Sequence, residues 1–351
     1  MTEVRSGLEG VVAFASTIAE PDRDGGALRY RGVDIEELAG RVPFEQVWGL
    51  LVDDALTPGL TAAEPRDLPV RSGNTRADVQ AAVATLATAP LIDIDDEQAR
   101  TDLATVSALT LDFVAQSARG ADLAPVPAAS GTAAERFLTR WRGEADPRHA
   151  RAIDAYWVSA AEHGMNASTF TARVVASTGA DVAAAVSAAI GALSGPLHGG
   201  APSRVLKMLE EVERTGDAGA WVRDALDRGE RLMGFGHRVY RAEDPRSRVL
   251  RRTARELGST RYEVAEALEA AALEALRERK PDRVLATNVE FWSAVLLDFA
   301  EVPADLFTPL FVCARTAGWS AHILEQKREA RLIRPTALYT GPAPRGVPVP
   351  A

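Results

Sequence analysis

From Pro43 onward the apolar positions keep the 3.6-residue spacing of a helix: Phe44, Val47, Trp48 and Leu51 fall on one face, and Pro43 suits a first turn. The same spacing predicts helices near 76–89, 97–118, 132–141, 147–162 and 168–177. Residues 180–194 are small or apolar nearly throughout, which predicts a helix buried in the middle of the core and ended by Gly195-Pro196. Further helices are predicted over 203–214, 219–231, 245–256 and 264–279, and near 289–300, 304–316 and 319–329. Ahead of all of these, β-favouring pieces at 11–14 and 28–30 flank the turn-rich stretch 21–26 and predict a small hairpin. Loops are predicted at 57–73 and 119–131, and the tail 341–351, with its four prolines, reads as extended or disordered. The fold class is therefore mainly α with a small N-terminal β element. No internal repeat and no strand followed by a Gly-rich loop and a helix appears, which argues against a nucleotide fold.

Composition narrows the function classes. The chain has 351 residues, enough for about two domains or one large one. Its 46% hydrophobic content supports a substantial core. A net charge of −9 speaks against a nucleic-acid partner, because neutralising phosphates needs a basic surface. No apolar run is long enough to cross a bilayer, so no membrane association is expected. The single cysteine, Cys313, can form neither an intramolecular disulfide nor a multi-thiolate metal site. With no signal sequence at its start, the chain is expected in a reducing cytoplasm.

Five histidines are few for this length, and three have unusual surroundings. His163 lies in Glu162-His163-Gly164-Met165-Asn166, His198 in Gly195-Pro196-Leu197-His198-Gly199-Gly200, and His237 in Gly234-Phe235-Gly236-His237-Arg238. Close glycines permit backbone conformations and ligand approach that other residues obstruct; the plain alternative is a turn carrying a surface histidine. His198 precedes a predicted helix whose first turn begins near Pro202, and a helix N-terminus would keep its imidazole neutral, able to donate to developing negative charge. Arg238, Arg241 and Arg246 follow His237 and suggest an anionic ligand, although Glu243 and Asp244 could neutralise them structurally. Glu290 precedes Phe291-Trp292 at the head of an apolar helix, either as a carboxylate favoured by the helix dipole or as a base strengthened by desolvation. No metal-ligand spacing and no G-x-S-x-G elbow is present, so neither metal-dependent chemistry nor a serine hydrolase is expected.

The run from Gly234 through His237, Tyr240 and Asp244 to Arg246 resembles the signature of the citrate synthase family, which includes the 2-methylcitrate synthases. Stretches 28–38, 195–200, 315–322 and 332–341 resemble further family segments, in the expected order along nearly the whole chain. The resemblance implies a citrate synthase: an acyltransferase of the tricarboxylic acid cycle that condenses acetyl-CoA with oxaloacetate and water through an enol or enolate. Propionyl-CoA as the main substrate, giving 2-methylcitrate, is one alternative; a catalytically weakened oxaloacetate- and CoA-binding regulatory homologue is another. It implies that His198 holds the thioester oxygen, that His237 polarises the oxaloacetate carbonyl, and that Glu290 is the base where the family normally has aspartate. It further implies that His163, His237, Arg246 and Arg315 bind oxaloacetate, joined by Arg334 from the other subunit of a homodimer. Coenzyme A would meet Arg241 and the backbone around Leu232, Met233, Gly234 and Phe235. The acyl-CoA is a substrate, and no cofactor is implied. The implied architecture is a large helical domain, 1–199 with 302–351, interrupted by a small one, 200–301.

Overall fold

A computed structural model describes residues 6–8, 10–22, 24, 26–120, 130–199, 202–237, 239–240, 242–283 and 285–345. The N-terminal sheet is antiparallel, in the order β1 (Ala19–Asp22), β2 (Ala27–Tyr30), β3 (Val33–Asp34). Its first strand is not 11–14, which has no regular structure, but the segment expected to begin the turn. The register Ala19 to Tyr30 buries Leu28 and Tyr30, and Ile18 just before β1, so the hairpin closes on the core rather than on solvent.

Helices follow as α1 (Ile35–Leu38), α2 (Phe44–Asp53), α3 (Thr75–Ala84), α4 (Asp96–Arg119), α5 (Ala133–Arg142), α6 (Pro147–Ala160), α7 (Ala167–Ala176) and α8 (Val182–Leu193). After these come α9 (Pro202–Thr215), α10 (Ala218–Asp227), α11 (Pro245–Leu257), α12 (Tyr262–Arg279), α13 (Val289–Phe299) and α14 (Phe307–Glu329). Polar caps set many of the starts: Asn74, Asp95, Asp146, Asn166, Asp181, Asp217, Asp244 and Asn288 each accept from a backbone N–H one turn in. Thr132 and Glu135 form a reciprocal capping box at α5.

The two helices expected at 304–316 and 319–329 are one 23-residue helix, α14. Gly318, between the two predicted segments, is helical, and a Cβ there would collide with Ala161 O and the Glu162 carboxylate, so the close approach of that segment requires glycine. Buried on nearly every side, α14 packs on α2, α4, α6, α7 and α8. Its small residues Ala314, Ala317 and Ala321 let those neighbours approach, and Trp319, Leu310 and Ile323 fill the space between. Helices α11 and α13 pack on each other and on α6, and this junction carries the site. Among the described residues no helix is long and apolar enough to cross a membrane.

Candidate active site

The site starts from a short antiparallel clasp. Phe235 bridges Thr287, Gly236 N–H donates to Ala286 O at 2.8 Å, and Asn288 N–H donates to Gly234 O at 2.9 Å. Gly234 has φ 86°, and a Cβ there would lie 2.8 Å from the Cβ of Phe291, so the clasp closes only around glycine. Asn288 joins both sides: its Nδ2 donates to Gly236 O at 2.8 Å, and its Oδ1 accepts Glu290 N–H at 3.0 Å. The chain leading into His237 is thereby fixed to the helix start that carries Glu290.

Asp244 organises the other half. It caps α11, grips Arg246 through Nε at 2.9 Å and Nη2 at 2.7 Å, and accepts Val289 N–H at 3.0 Å. Burial alone would raise its pKa, but the Arg246 contact outweighs this and holds the carboxyl below its ordinary value. Arg246, itself buried, is held fully charged by the same pair. His237 Nδ1 accepts from Val239 N–H at 2.9 Å and Tyr240 N–H at 3.2 Å, so in the neutral ring the proton sits on Nε2. Arg246 Nη2 lies 3.2 Å from that Nε2. A guanidinium can only donate, so these are two donors side by side, an arrangement satisfied by a shared carbonyl or carboxylate oxygen. Burial, reinforced by Arg246, lowers the His237 pKa to about 4.

His163, at the end of α6, meets His237 edge-on with ring centroids 5.2 Å apart, and its Nε2 lies 3.1 Å from Tyr240 Oη. Burial pushes its pKa well down, with Arg246, His237 and Arg315 adding to the effect. Arg315 rises from α14, 1% exposed; its Nε donates to Ala160 O at 2.9 Å and its guanidinium stacks over Phe311. Among the described residues no hydrogen bond uses its terminal nitrogens. Burial raises the pKa of Tyr156 on α6, with Arg315 and Arg246 opposing the shift and Glu290 adding to it.

His198 Nε2 faces Ser168 Oγ at 2.9 Å, and the ring stands edge-on to Phe311. Ser168 is fully buried on α7, where it also accepts from Trp319 Nε1 at 3.2 Å and faces Asn166 Oδ1 at 2.8 Å. The His198 pKa falls to about 4, first through burial and then through Arg315. α9 starts at Pro202, as the sequence suggests, and burial together with Arg315 lowers the His198 pKa as well, which keeps the imidazole neutral. Glu290, half-buried in the first turn of α13, has its pKa raised by burial, against the pull of Arg246 and Arg231. Both features expected of Glu290 are present, a carboxylate in the first turn of a helix and one whose proton affinity burial raises.

Other candidates fall elsewhere. Leu232 and Phe235 turn their side chains into the core, so only their backbone is left to meet a ligand, while Met233 is half-buried with its N–H on Met208 Sδ. Arg241 lies outside the described residues, as do Arg238 and Gly200. Arg334 stands exposed on the extended segment after α14, apart from the cluster. Ser168, Asn288 and Tyr240 were not singled out from sequence. Asn-x-Ser after His163 and Asn just before Glu290 were the available signals, legible as caps but not as links between catalytic segments. Among the described residues no group of three His, Cys, Asp or Glu side chains could hold a metal ion.

Known proteins match this chain along nearly its whole length. A family model described as "Citrate synthase, C-terminal domain" matches residues 7–336. The chain is 66% identical over 348 residues to a Mycobacterium tuberculosis protein named "Putative citrate synthase 2", covering 97% of this chain and 93% of that one. It is 38% identical to the citrate synthase of Haloferax volcanii, covering 97% and 96%. Among solved structures, the citrate synthase of Thermoplasma acidophilum in ternary complex with carboxymethyl coenzyme A and oxaloacetate superposes with a TM-score of 0.84. That match has 28% identity and covers 100% of this chain and 99% of the other.

Proposed function

Because the chain belongs to the citrate synthase family, we propose that it condenses acetyl-CoA with oxaloacetate and water, releasing citrate and coenzyme A. The observation that carries this reading is the adjacent donor pair of His237 Nε2 and Arg246 Nη2, 3.2 Å apart, with His163 packed edge-on to His237 and burial keeping both rings neutral. Oxaloacetate would place its ketone oxygen on His237, with its carboxylates on Arg246, Arg315 and His163. A neutral, fixed donor polarises the carbonyl without giving up its proton prematurely. On the other side of the acyl-CoA, Glu290 takes a proton from the methyl carbon while His198 donates to the thioester oxygen, so that charge developing on the enol is held as it forms. The enol carbon then bonds to the polarised ketone carbon, whose oxygen takes up a proton to become the citryl hydroxyl. Water next adds to the thioester carbonyl, the carbon–sulfur bond breaks and the thiol leaves.

Closure fits the same scheme. We infer a large domain, 1–199 with 302–351, and a small one, 200–301. His198 stands near their join, Glu290 and His237 on the small domain, and Arg315 on the large one, so the groups meet fully only around bound substrate. The exposed placement of Arg334 supports its donation to the partner's site in a homodimer. Coenzyme A would lie along the backbone 232–235 toward Arg241. We place the reaction in the cytoplasm, in the tricarboxylic acid cycle. Thiol release measured with oxaloacetate and either acetyl-CoA or propionyl-CoA tests the reading. Turnover with acetyl-CoA is expected; preference for propionyl-CoA would make the product 2-methylcitrate, and oxaloacetate binding without release from either would leave a binding protein.

A further inference from the structure

One carboxylate beside the pocket has no part in the scheme above. Glu162 follows α6, next to His163, and its side chain is completely buried. Neither of its carboxylate oxygens has a hydrogen-bond donor among the described residues. Burying a carboxylate without a hydrogen-bond donor is costly, and positive charge nearby offsets that cost. His322 Nε2 approaches Glu162 Oε1 at 3.3 Å, but His322 Nδ1 lies 3.1 Å from Arg173 Nη1. Since the guanidinium can only donate, Nδ1 accepts there, and the approach of Nε2 to Glu162 makes no hydrogen bond. Arg173 is itself engaged with Glu325 and Glu329. Among the described residues the buried cation on this part of α14 is Arg315, one helical turn before Gly318, with its Nε on Ala160 O at 2.9 Å, two residues before Glu162. Gly318 N–H donates to Ala161 O at 3.1 Å, and its missing side chain leaves the space that the Glu162 carboxylate occupies. No direct ion pair joins Glu162 to Arg315, yet among ionised groups it acts most strongly on that guanidinium. Arg246 has a carboxylate of its own, Asp244, in contact.

We propose that Glu162 is the buried countercharge of Arg315: it makes the guanidinium tolerable in the empty site, and in doing so it opposes the substrate carboxylate that binds there. Glu162 touches no reacting atom and acts only through Arg315, so the proposal rests on reading Arg315 as an oxaloacetate ligand. A structural residue in this position would weaken binding when altered; a countercharge has the opposite signature. Glu162→Gln keeps the size of the side chain and removes its charge. Its free form is expected to melt at lower temperature than the wild type, while oxaloacetate binds about tenfold more tightly by calorimetry, the scale of one partly screened charge. Unchanged or weaker binding overturns the proposal. Arg315→Gln separates the underlying reading: if that variant binds oxaloacetate like the wild type, Arg315 is no ligand and the affinity half of the proposal falls with it. The pairing is tested without ligand by comparing Arg315→Gln with Arg315→Gln/Glu162→Gln. The double variant is expected to melt higher, since both charges have been removed together, and a lower melting temperature overturns the pairing even where Glu162→Gln alone does not fold.

Discussion

Replacing Glu290 by Asp asks whether this chain is built around the longer base. The substitution withdraws the carboxylate by roughly 1.5 Å, one carbon–carbon bond. The backbone cannot follow, because the first turn of α13 is pinned from three sides. Val289 N–H is on Asp244 Oδ2 at 3.0 Å, Asn288 bridges to Gly236 O at 2.8 Å, and Gly234 sits so close to Phe291 that even one added methyl would collide. A reacting group misplaced by about 1 Å costs about 100-fold, or roughly 2.7 kcal/mol of barrier. Thiol release from acetyl-CoA at saturating oxaloacetate is therefore expected to fall about 100-fold in kcat, by that same misplacement argument, with oxaloacetate affinity essentially unchanged. Activity equal to or above the wild type would refute the reasoning, since it would mean either that α13 moves freely or that the carboxylate position does not matter.

Other consequences follow from the same geometry. Gly234→Ala forces a Cβ to 2.8 Å from Phe291 Cβ at a φ of 86°, and should cost about 2 kcal/mol or more of stability in chemical denaturation while lowering turnover. His198 and His237 have folded-state pKa values of about 4 against an ordinary 6.5. Below pH 6.5 the unfolded chain takes up protons that the folded chain refuses until about pH 4, so stability should fall as pH drops through that window. His237→Gln should flatten the slope, which an unchanged melting curve from pH 7 to pH 4.5 would contradict. Asp154, whose Oδ1 accepts Phe44 N–H at 2.9 Å, has its pKa raised to about 7 by burial, with Glu45 and Glu135 adding to the effect. The unfolded group ionises near 3.8, so stability is lost as pH rises from there to 7. Asp154→Asn keeps the acceptor and should raise stability at pH 8 by about 1–2 kcal/mol, and less at pH 5.

The helical frame was legible because burial of one face imposes the 3.6-residue period, and even the all-round apolar stretch before Gly195 became the buried helix α8. What periodicity could not supply was the effect of tertiary contact. The predicted gap between 316 and 319 is continuous helix, and its Gly318 leaves the space that the Glu162 carboxylate fills. The segment 11–14 has strand composition without a pairing partner, whereas Pro21 and Asp22, turn residues by type, extend β1 because 27–30 lies alongside. His163, His198, His237, Arg246, Glu290 and Arg315 stood out by their neighbours in sequence, and the structure brings His163, His237 and Arg246 into contact range. Ser168 and Asn288 could not be read in the same way: a cap and a buried hydroxyl look alike wherever they occur, and only folding brings one to His198 and the other between Gly236 and Glu290. His198 shows the same limit: the helix start that follows it is readable from sequence, whereas the burial that lowers its pKa is not.

The most direct measurement is the fate of labelled acetyl-CoA. Incubated with oxaloacetate and acetyl-CoA carrying carbon-13 in its methyl group, the wild-type protein should form citrate with one labelled methylene, resolved by mass spectrometry and carbon NMR, with one thiol released per citrate. Glu290→Gln should still bind oxaloacetate but form labelled citrate at least about 100-fold more slowly, as expected when a general base is removed. Near-normal labelled citrate from Glu290→Gln, or no labelled citrate from the wild type despite bound oxaloacetate, would contradict the account.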